Sequence, residues 1–213
     1  MQSWDDLEPA WHEACRLAWE AYGAGTIPVG AVVTDANGTA IARGRNRMFD
    51  TSAPAGQIFG SRVAHAEINA LVQLGTGRRY EGCTLWTTLE PCSQCIGAAW
   101  LSTIGTVRFA ATDVYAGASK MIERQIEAAD SFRRYPMNVE GPVEGPSAVF
   151  AELLHVEIFL RTRPESEVSD AYRERRPELV ALAERLPLHE HATSSLDEVL
   201  PLIWDELAAY QSG

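Results

Sequence analysis

The order of helical and strand patterns in this sequence predicts a three-layer α/β/α protein with a central mixed β-sheet. Three observations support this prediction. Apolar runs with helical spacing alternate with short runs of β-forming residues. The dipeptide Asn37-Gly38 lies between two strand patterns and predicts a hairpin, so at least one strand pair is antiparallel and the sheet is mixed. Hydrophobic residues make up 46% of the 213 residues, which is enough to form a core.

The first half of the sequence predicts a helix, a hairpin, a loop and a second helix. The first 25 residues carry apolar side chains at helical spacing. Strands are expected at 29–35 and 40–47, on either side of the hairpin turn. Residues 48–62 contain proline and glycines without periodicity and indicate a loop, which leads into a helix at 64–74.

The second half of the sequence continues the alternation. We expect strands at 84–90 and 106–113, helices from Pro91 to about Thr103 and at 147–161, partly helical structure at 114–135, and a connector at 135–146. Ser147 is the expected N-cap of the helix at 147–161.

The last part of the chain differs in composition and predicts a separate unit. Residues 162–213 are acidic and contain two amphipathic helical patterns. We therefore divide the chain into a domain at 1–161 and a C-terminal helical extension at 162–213.

Charge and composition limit the classes of partner. The net charge of −11, from 18 basic and 29 acidic residues, is a poor match to nucleic acid, whose binding depends on neutralising phosphates. No apolar run approaches the length of a membrane span, and the N-terminus lacks a secretory pattern. These features predict a cytoplasmic protein that does not enter the membrane.

Two short segments together indicate a metal site. The segment His65-Ala66-Glu67 taken alone is typical of a solvated helix end. The segment Pro91-Cys92-Ser93-Gln94-Cys95 changes that interpretation, because Cys-x-x-Cys at a helix start directs both sulfurs to one side. The residues His65, Cys92 and Cys95 supply three ligands, which is the number in a catalytic zinc site with an open fourth position. Pro91 is expected at the first helical position, where its missing N–H has no cost.

The combination H-x-E followed by P-C-x-x-C is the signature of zinc-dependent nucleobase deaminases. Through "AHAEINAL" and "TLEPCSQCIGAA", the sequence resembles the cytidine deaminase-like superfamily, and within it the guanine deaminase and tRNA adenosine deaminase branch. The resemblance implies one zinc ion per chain and a hydrolytic deamination in which Glu67 moves protons from water to a ring nitrogen and then to the leaving amine.

Four further residues are weaker candidates. The resemblance places Asn46 where the family often has an Asn that binds the base or sugar, and the alternative is a structural Asn at a turn. Asp113 contacts an exocyclic amine or caps the following helix. Glu90 and Pro91 are expected to support the metal loop. The histidines His12, His155, His189 and His191 lie outside any ligand spacing.

We expect a small-molecule aminohydrolase that converts a purine-type base or nucleoside, such as guanine or guanosine, to the oxo product. The long loop at 48–62 supports this expectation, because it places Phe49, Gln57, Ile58, Phe59 and Arg62 near the mouth of the site. The alternatives are a tRNA adenosine deaminase, whose phosphate track would begin with Arg43, Arg45 and Arg47, and a zinc module without catalysis.

We also expect a homodimer. The family commonly assembles this way, and the "CIGAAWLST" helix has little polar surface. The apolar stripe on 196–207 is a second surface that needs to be covered.

Overall fold

A central five-stranded sheet organises the protein. The computed structural model describes residues 4–121 and 136–211. Within them the strands are β1 Gly30–Thr34, β2 Ala40–Arg45, β3 Thr84–Leu89, β4 Thr106–Ala111 and β5 Asn138–Glu140. The strand order is β2-β1-β3-β4-β5, with β1 antiparallel to both neighbours and β3, β4 and β5 mutually parallel. The sheet is mixed, as the sequence predicts.

The described part of the chain contains seven α-helices, which cover the sheet or pack on the helices that cover it. They are α1 Pro9–Gly23, α2 Ala66–Leu71, α3 Ser93–Leu101, α4 Pro146–Thr162, α5 Glu167–Arg175, α6 Pro177–Arg185 and α7 Leu196–Gln211. Short 3-10 helices lie at Trp4–Asp6 and Leu188–His191. No helix in residues 4–121 and 136–211 is both long and apolar enough to cross a membrane.

Two glycines show that α1 and α2 cover opposite faces of the sheet. A methyl group added to Gly30 would lie 2.1 Å from the carbonyl oxygen of Ala14 in α1. A methyl group added to Gly44 would lie 2.3 Å from the carbonyl oxygen of Ala66 in α2. Gly44 is the cross-strand partner of Ala31, the neighbour of Gly30, and adjacent strand residues face opposite sides. The absence of a Cβ therefore lets one helix pack closely on each face.

Two apolar cores share α1. Trp11 and Ala14 pack with the sheet, whereas Cys15, Ala18 and Trp19 pack with α4 and the three C-terminal helices. Because α4 is covered on both sides, every residue from 146 to 158 is buried. The C-terminal helices thus form a further helical layer on the α1–α4 layer. The division at 161/162 remains a prediction, and the shared core shows that the extension packs tightly on the rest of the chain.

The apolar stripe of α7 faces this second core. Trp204 is partly buried against the same core, and five residues of the stripe are buried within the chain: Leu196, Val199, Leu200, Ile203 and Leu207. The stripe is therefore covered without a partner, and it does not support the expected dimer.

Several predicted boundaries are wrong for local reasons. The cap position of α4 is Gly145, and Ser147 is buried inside the helix. The first of the two helical patterns predicted in 162–213, "DAYRERRPELVALAERL", forms two helices, because Pro177 begins a new helix at its first turn. Strand β5 lies inside the predicted connector at 135–146, where three residues are too few to form an alternating pattern. The helical prediction for 114–135 falls mainly on residues 122–135, outside the described residues.

Candidate active site

The two sequence motifs meet at the carboxyl end of β3. His65 and Cys92 occupy the cap positions of α2 and α3, with extended backbone (ψ 159° and ψ 174°). Helix α3 begins at Ser93, so Pro91 precedes the cap and the prediction that it occupies the first helical position is wrong. Both ligand groups therefore lie at helix N-termini, where the helix dipole stabilises thiolates.

Three ligand atoms form a compact cluster. His65 Nδ1 lies 3.6 Å from Cys92 Sγ and 3.4 Å from Cys95 Sγ, and the two sulfurs are 3.6 Å apart. Tetrahedral zinc with ordinary Zn–S and Zn–N bonds separates its ligands by about 3.5–3.8 Å. The cluster therefore fits zinc, with His65 presenting Nδ1 and one coordination position left open.

The ionisation of the cluster also suits a metal. The hydrogen bonds with Cys95 and His65 lower the pKa of the Cys92 thiol to about 4. The bond to Cys92 and burial raise the pKa of the Cys95 thiol, so the two sulfurs share one proton. The bond to Cys92 also raises the pKa of His65. A metal that binds here displaces these protons, so its affinity depends on pH.

The Glu67 carboxylate lies beside the cluster without replacing a ligand. Its Oε2 accepts a hydrogen bond from Cys95 Sγ at 3.3 Å, and its Oε1 accepts one from Thr87 Oγ1 at 3.1 Å. In a regular helix the side chains at i and i+2 point apart, but His65 precedes α2 and is extended. This backbone geometry lets both side chains reach the same place. Burial raises the pKa of the Glu67 carboxyl, which favours a group that both accepts and donates protons.

Asn46 is buried and lines the pocket above the cluster. Its Oδ1 accepts hydrogen bonds from Thr26 Oγ1 and from the backbone N–H of Met48, both at 2.9 Å. These bonds fix the orientation of the amide and use its acceptor atom.

Glu90 ties the end of β3 to the segment after β4. Its carboxylate accepts hydrogen bonds from the backbone N–H of Asp113 at 3.3 Å and of Ser119 at 3.1 Å, and from the Ser119 hydroxyl. The carbonyl oxygen of Pro91 accepts a hydrogen bond from the backbone N–H of Ala118 at 3.0 Å. Glu90 and Pro91 thus connect the metal loop to residues 113–119.

Asp113 closes a turn and also lines the pocket. Its Oδ1 accepts hydrogen bonds from the backbone N–H groups of Tyr115 and Ala116, both at 2.9 Å. Asp113 therefore caps a turn rather than a helix.

The pocket over the cluster has a volume of about 420 Å³. Its wall on the metal side comes from the two motifs and from residues of the first half of the chain. A second wall comes from α4, from the residue after it and from α5, through His155, Phe159, Arg163 and Val168. The sequence alone did not predict this wall, because His155 lies outside any ligand spacing. A signal was present, because a histidine inside the otherwise apolar pattern of α4 needs a polar partner.

The loop at 48–62 contributes less than predicted. Phe49 and Arg62 line the pocket. Gln57 instead accepts a hydrogen bond from Arg47 Nε at 2.7 Å, and the backbone of Ile58 binds the side chain of Asn69. Phe59 lies on the surface, 45% exposed.

The sequence also matches the family model of the cytidine and deoxycytidylate deaminase zinc-binding region over residues 5–111. This match spans half of the chain and contains His65, Cys92 and Cys95. The chain therefore belongs to this family of zinc-binding deaminases, and zinc is its cofactor.

Known proteins from two functional groups resemble the chain. A tRNA-specific adenosine deaminase of Bacillus subtilis is 36% identical over 150 residues, which are 66% of this chain and 86% of that protein. A tRNA(Ile)-lysidine synthase of Deinococcus radiodurans is 42% identical over 117 residues, 54% of this chain. The chain spans only 19% of the length of that synthase and 20% of its counterpart from Deinococcus deserti.

Solved structures show the same fold. A structure from a study of A-to-I editing by tRNA:A34 deaminases matches 68% of this chain and 97% of its own, with a TM-score of 0.53 and 25% identity. A guanine deaminase of Nitrosomonas europaea matches 71% of this chain and 83% of its own, with a TM-score of 0.53 and 22% identity.

Proposed function

We propose that this protein is a zinc-dependent aminohydrolase that converts a small amino-substituted base or nucleoside, of purine type such as guanine or guanosine, to the oxo product and ammonia. The observation that carries the proposal is a compact pocket over the His65–Cys92–Cys95 cluster, with the Glu67 carboxylate at its floor and a wall built by α4 and the segment after it.

The residues of the site have complementary roles in this reaction. Zinc held by His65, Cys92 and Cys95 supplies Lewis acidity that lets water attack at neutral pH. Glu67 takes one proton from the attacking water and delivers it to a ring nitrogen. It then takes the second proton from the added hydroxyl and delivers it to the amine, which leaves as ammonia when the C–N bond breaks and the C=O forms. Asn46 holds the substrate, because its Oδ1 is fixed within the protein and its Nδ2 is left to donate.

The arginines at 43, 45 and 47, in β2 and directly after it, support a small substrate over a polynucleotide. Arg45 and Arg47 are largely buried and both form ion pairs with Asp50, at 2.7 and 2.8 Å. Arg43 pairs with Glu13 at 2.8 Å. All three guanidinium groups are held in ion pairs within the chain, although Arg45 and Arg47 share one carboxylate, and this favours a small substrate over a phosphate track, in agreement with the net charge of −11.

Deamination of adenosine in tRNA is the second candidate. It is favoured by the 36% identity with the Bacillus subtilis enzyme, 86% of which is matched. The two candidates differ in the size of the substrate and in the contribution of phosphates to binding.

One experiment separates the two candidates. Ammonia release is measured from guanine, guanosine, cytosine, cytidine and adenosine, and inosine formation in a tRNA anticodon stem, at 50 and 200 mM salt. We expect turnover of a base or nucleoside with little dependence on salt. The second candidate would be established if only the tRNA is converted and its conversion falls steeply from 50 to 200 mM salt. The binding constant should then fall by about 0.7 log units per contacted phosphate for each tenfold rise in salt. Release of no ammonia from any substrate would favour the zinc module without catalysis.

We also propose that the protein is a homodimer that assembles through α3 and its surroundings. Three apolar side chains there are exposed to solvent: Val63 at 48%, Val72 at 50% and Leu101 at 75%. Light scattering at micromolar concentration should give about twice the 23.4 kDa mass of the chain, and Leu101→Asp should give the monomer mass. A monomer in the unmodified protein would refute the proposal.

A further inference from the structure

The part of the pocket wall that α4 builds contains a histidine whose hydrogen-bond partner comes from the C-terminal extension. His155, on α4, is buried and lines the pocket. Its Nδ1 lies 2.8 Å from the hydroxyl of Tyr172, on α5, and Tyr172 has no exposed surface. With Nδ1 occupied by Tyr172, Nε2 is the ring nitrogen that is left for a group in the pocket.

The contact with Tyr172 also fixes which nitrogen carries the proton. Among the described residues, His155 Nδ1 is the hydrogen-bond partner of the Tyr172 hydroxyl. A buried phenol proton without an acceptor would be costly, so the hydroxyl donates to Nδ1. In a neutral imidazole the other nitrogen then carries the proton, and Nε2 is a donor.

The surroundings keep the imidazole neutral. Burial lowers the pKa of His155, and the nearby Asp113 carboxylate opposes this effect without reversing it. The other charges packed around Tyr172 are Glu152 and Arg176, which form an ion pair at 2.9 Å. Since burial is the largest influence, His155 presents a neutral N–H to the pocket.

Asp113, which also lines the pocket and interacts electrostatically with His155, supplies an acceptor. Its Oδ1 is used by the turn at Tyr115 and Ala116, and its second oxygen has no partner among the described contacts. An N–H donor beside a carboxylate acceptor is complementary to a lactam, the adjacent C=O and N–H of a base such as guanine or cytosine. Adenine-type bases lack this C=O.

We propose that His155 is a specificity-determining residue that donates from Nε2 to the carbonyl oxygen of a lactam-bearing substrate, beside the Asp113 carboxylate. This inference rests on the proposed function and narrows it to amino-lactam bases. Tyr172 acts as a positioning residue, because it sets the tautomer of the imidazole. The extension thereby takes part in recognition of the substrate.

Two pairs of bases that differ in the lactam, its C=O and the adjacent N–H, provide the test. Guanine is compared with 2-aminopurine, and cytosine with 4-aminopyrimidine, so that either ring size is covered. The ratio of kcat/KM within each accepted pair is measured for the unmodified protein, His155→Leu, His155→Gln and Tyr172→Phe. His191→Leu, which changes a histidine outside the pocket, is the control. Zinc content and Tm establish that each variant is folded.

The unmodified protein should prefer the oxo base by about 10- to 100-fold, since the analogue leaves a buried donor unpaired. His155→Leu should lower the ratio, mainly by lowering kcat/KM for the oxo base, and the preference that remains is due to the lactam N–H, which the analogue also lacks. Tyr172→Phe should reduce the ratio, and His155→Gln, which retains an N–H donor, should restore part of it. The control should keep the full ratio.

Different results refute the two proposals. If the protein deaminates bases but His155→Leu lowers kcat/KM equally within a pair, or if the base without the oxygen is preferred, the role of His155 is wrong and the aminohydrolase proposal stands. If none of these four bases is deaminated, the inference is wrong, and so is the proposed deamination of a free base. If His155→Leu does not fold, equal ratios for Tyr172→Phe and the unmodified protein overturn the inference.

Discussion

The two walls of the pocket differ in how the chain builds them. The metal ligands come from two short motifs, at the carboxyl end of β3 and at the starts of α2 and α3. The second wall comes from α4, the residue after it and α5, far along the chain from both motifs. The reaction that we propose thus relies on short local motifs, whereas the recognition that we propose relies on tertiary packing.

The largest expected effect is loss of the metal, which acts on the metal side of the pocket. Cys92→Ala removes one of three ligands and leaves a site that is too poor to hold zinc. We expect zinc content, measured by elemental analysis, to fall from one per chain to near zero, with no detectable turnover. The control Cys83→Ala changes a buried thiol outside the cluster and should keep its zinc. Full zinc content in Cys92→Ala would place the metal elsewhere.

The ion pair between Glu152 and Arg176 predicts an effect of pH on the free energy of unfolding. Burial raises the pKa of Glu152 to about 7, although Arg176 opposes this shift. Because the folded-state pKa is raised, the proton-linked stabilisation is fully present below the unfolded pKa and is lost as pH rises through 7. Glu152→Gln does not titrate. From pH 5 to pH 8, its free energy of unfolding should therefore gain about 2 kcal/mol relative to the unmodified protein, as chemical denaturation would show. A constant difference would contradict this account.

A smaller effect is expected at the mouth of the pocket. The Arg163 guanidinium lies 4.4 Å from the centre of the Phe49 ring and 5.6 Å from that of Phe159, joining the loop at 48–62 to α4. Arg163→Ala should raise KM by about two- to fivefold, the equivalent of one exposed cation–π contact, and leave kcat unchanged. Arg173→Ala, on the same extension but outside the pocket lining, is the matched control. A fall in kcat alone would show that Arg163 acts on the reaction itself.

The predictability of the structure from sequence follows the same division. The mixed sheet, the antiparallel hairpin and the meeting of His65 with Cys92 and Cys95 were all predicted, because turn chemistry and ligand spacing are local. The ligating nitrogen of His65 and the approach of Glu67 were not predictable in detail, since both depend on where α2 begins. The roles assigned to Glu67, Asn46, Asp113 and Glu90 remain predictions.

Other features required knowledge of the fold. The partner of Arg45 and Arg47 is Asp50, and the charge pattern of β2 alone did not reveal that these ion pairs are buried. The role of α4 was hidden because its sequence is typical of a core helix, and its histidine shows its importance only when Tyr172 packs against it. Strand β5 is defined by pairing with β4 rather than by its own three residues.

The central claim is that the metal side of the pocket performs a deamination in which Glu67 moves protons without holding the metal. The most direct test measures zinc content and kcat on the same preparation of Glu67→Ala, with Glu13→Ala at the protein surface as the control. We expect one zinc per chain in both variants. Turnover should be normal in the control, and kcat should fall by about 10²- to 10⁴-fold in Glu67→Ala. Turnover near that of the unmodified protein, with zinc retained, would contradict the claim.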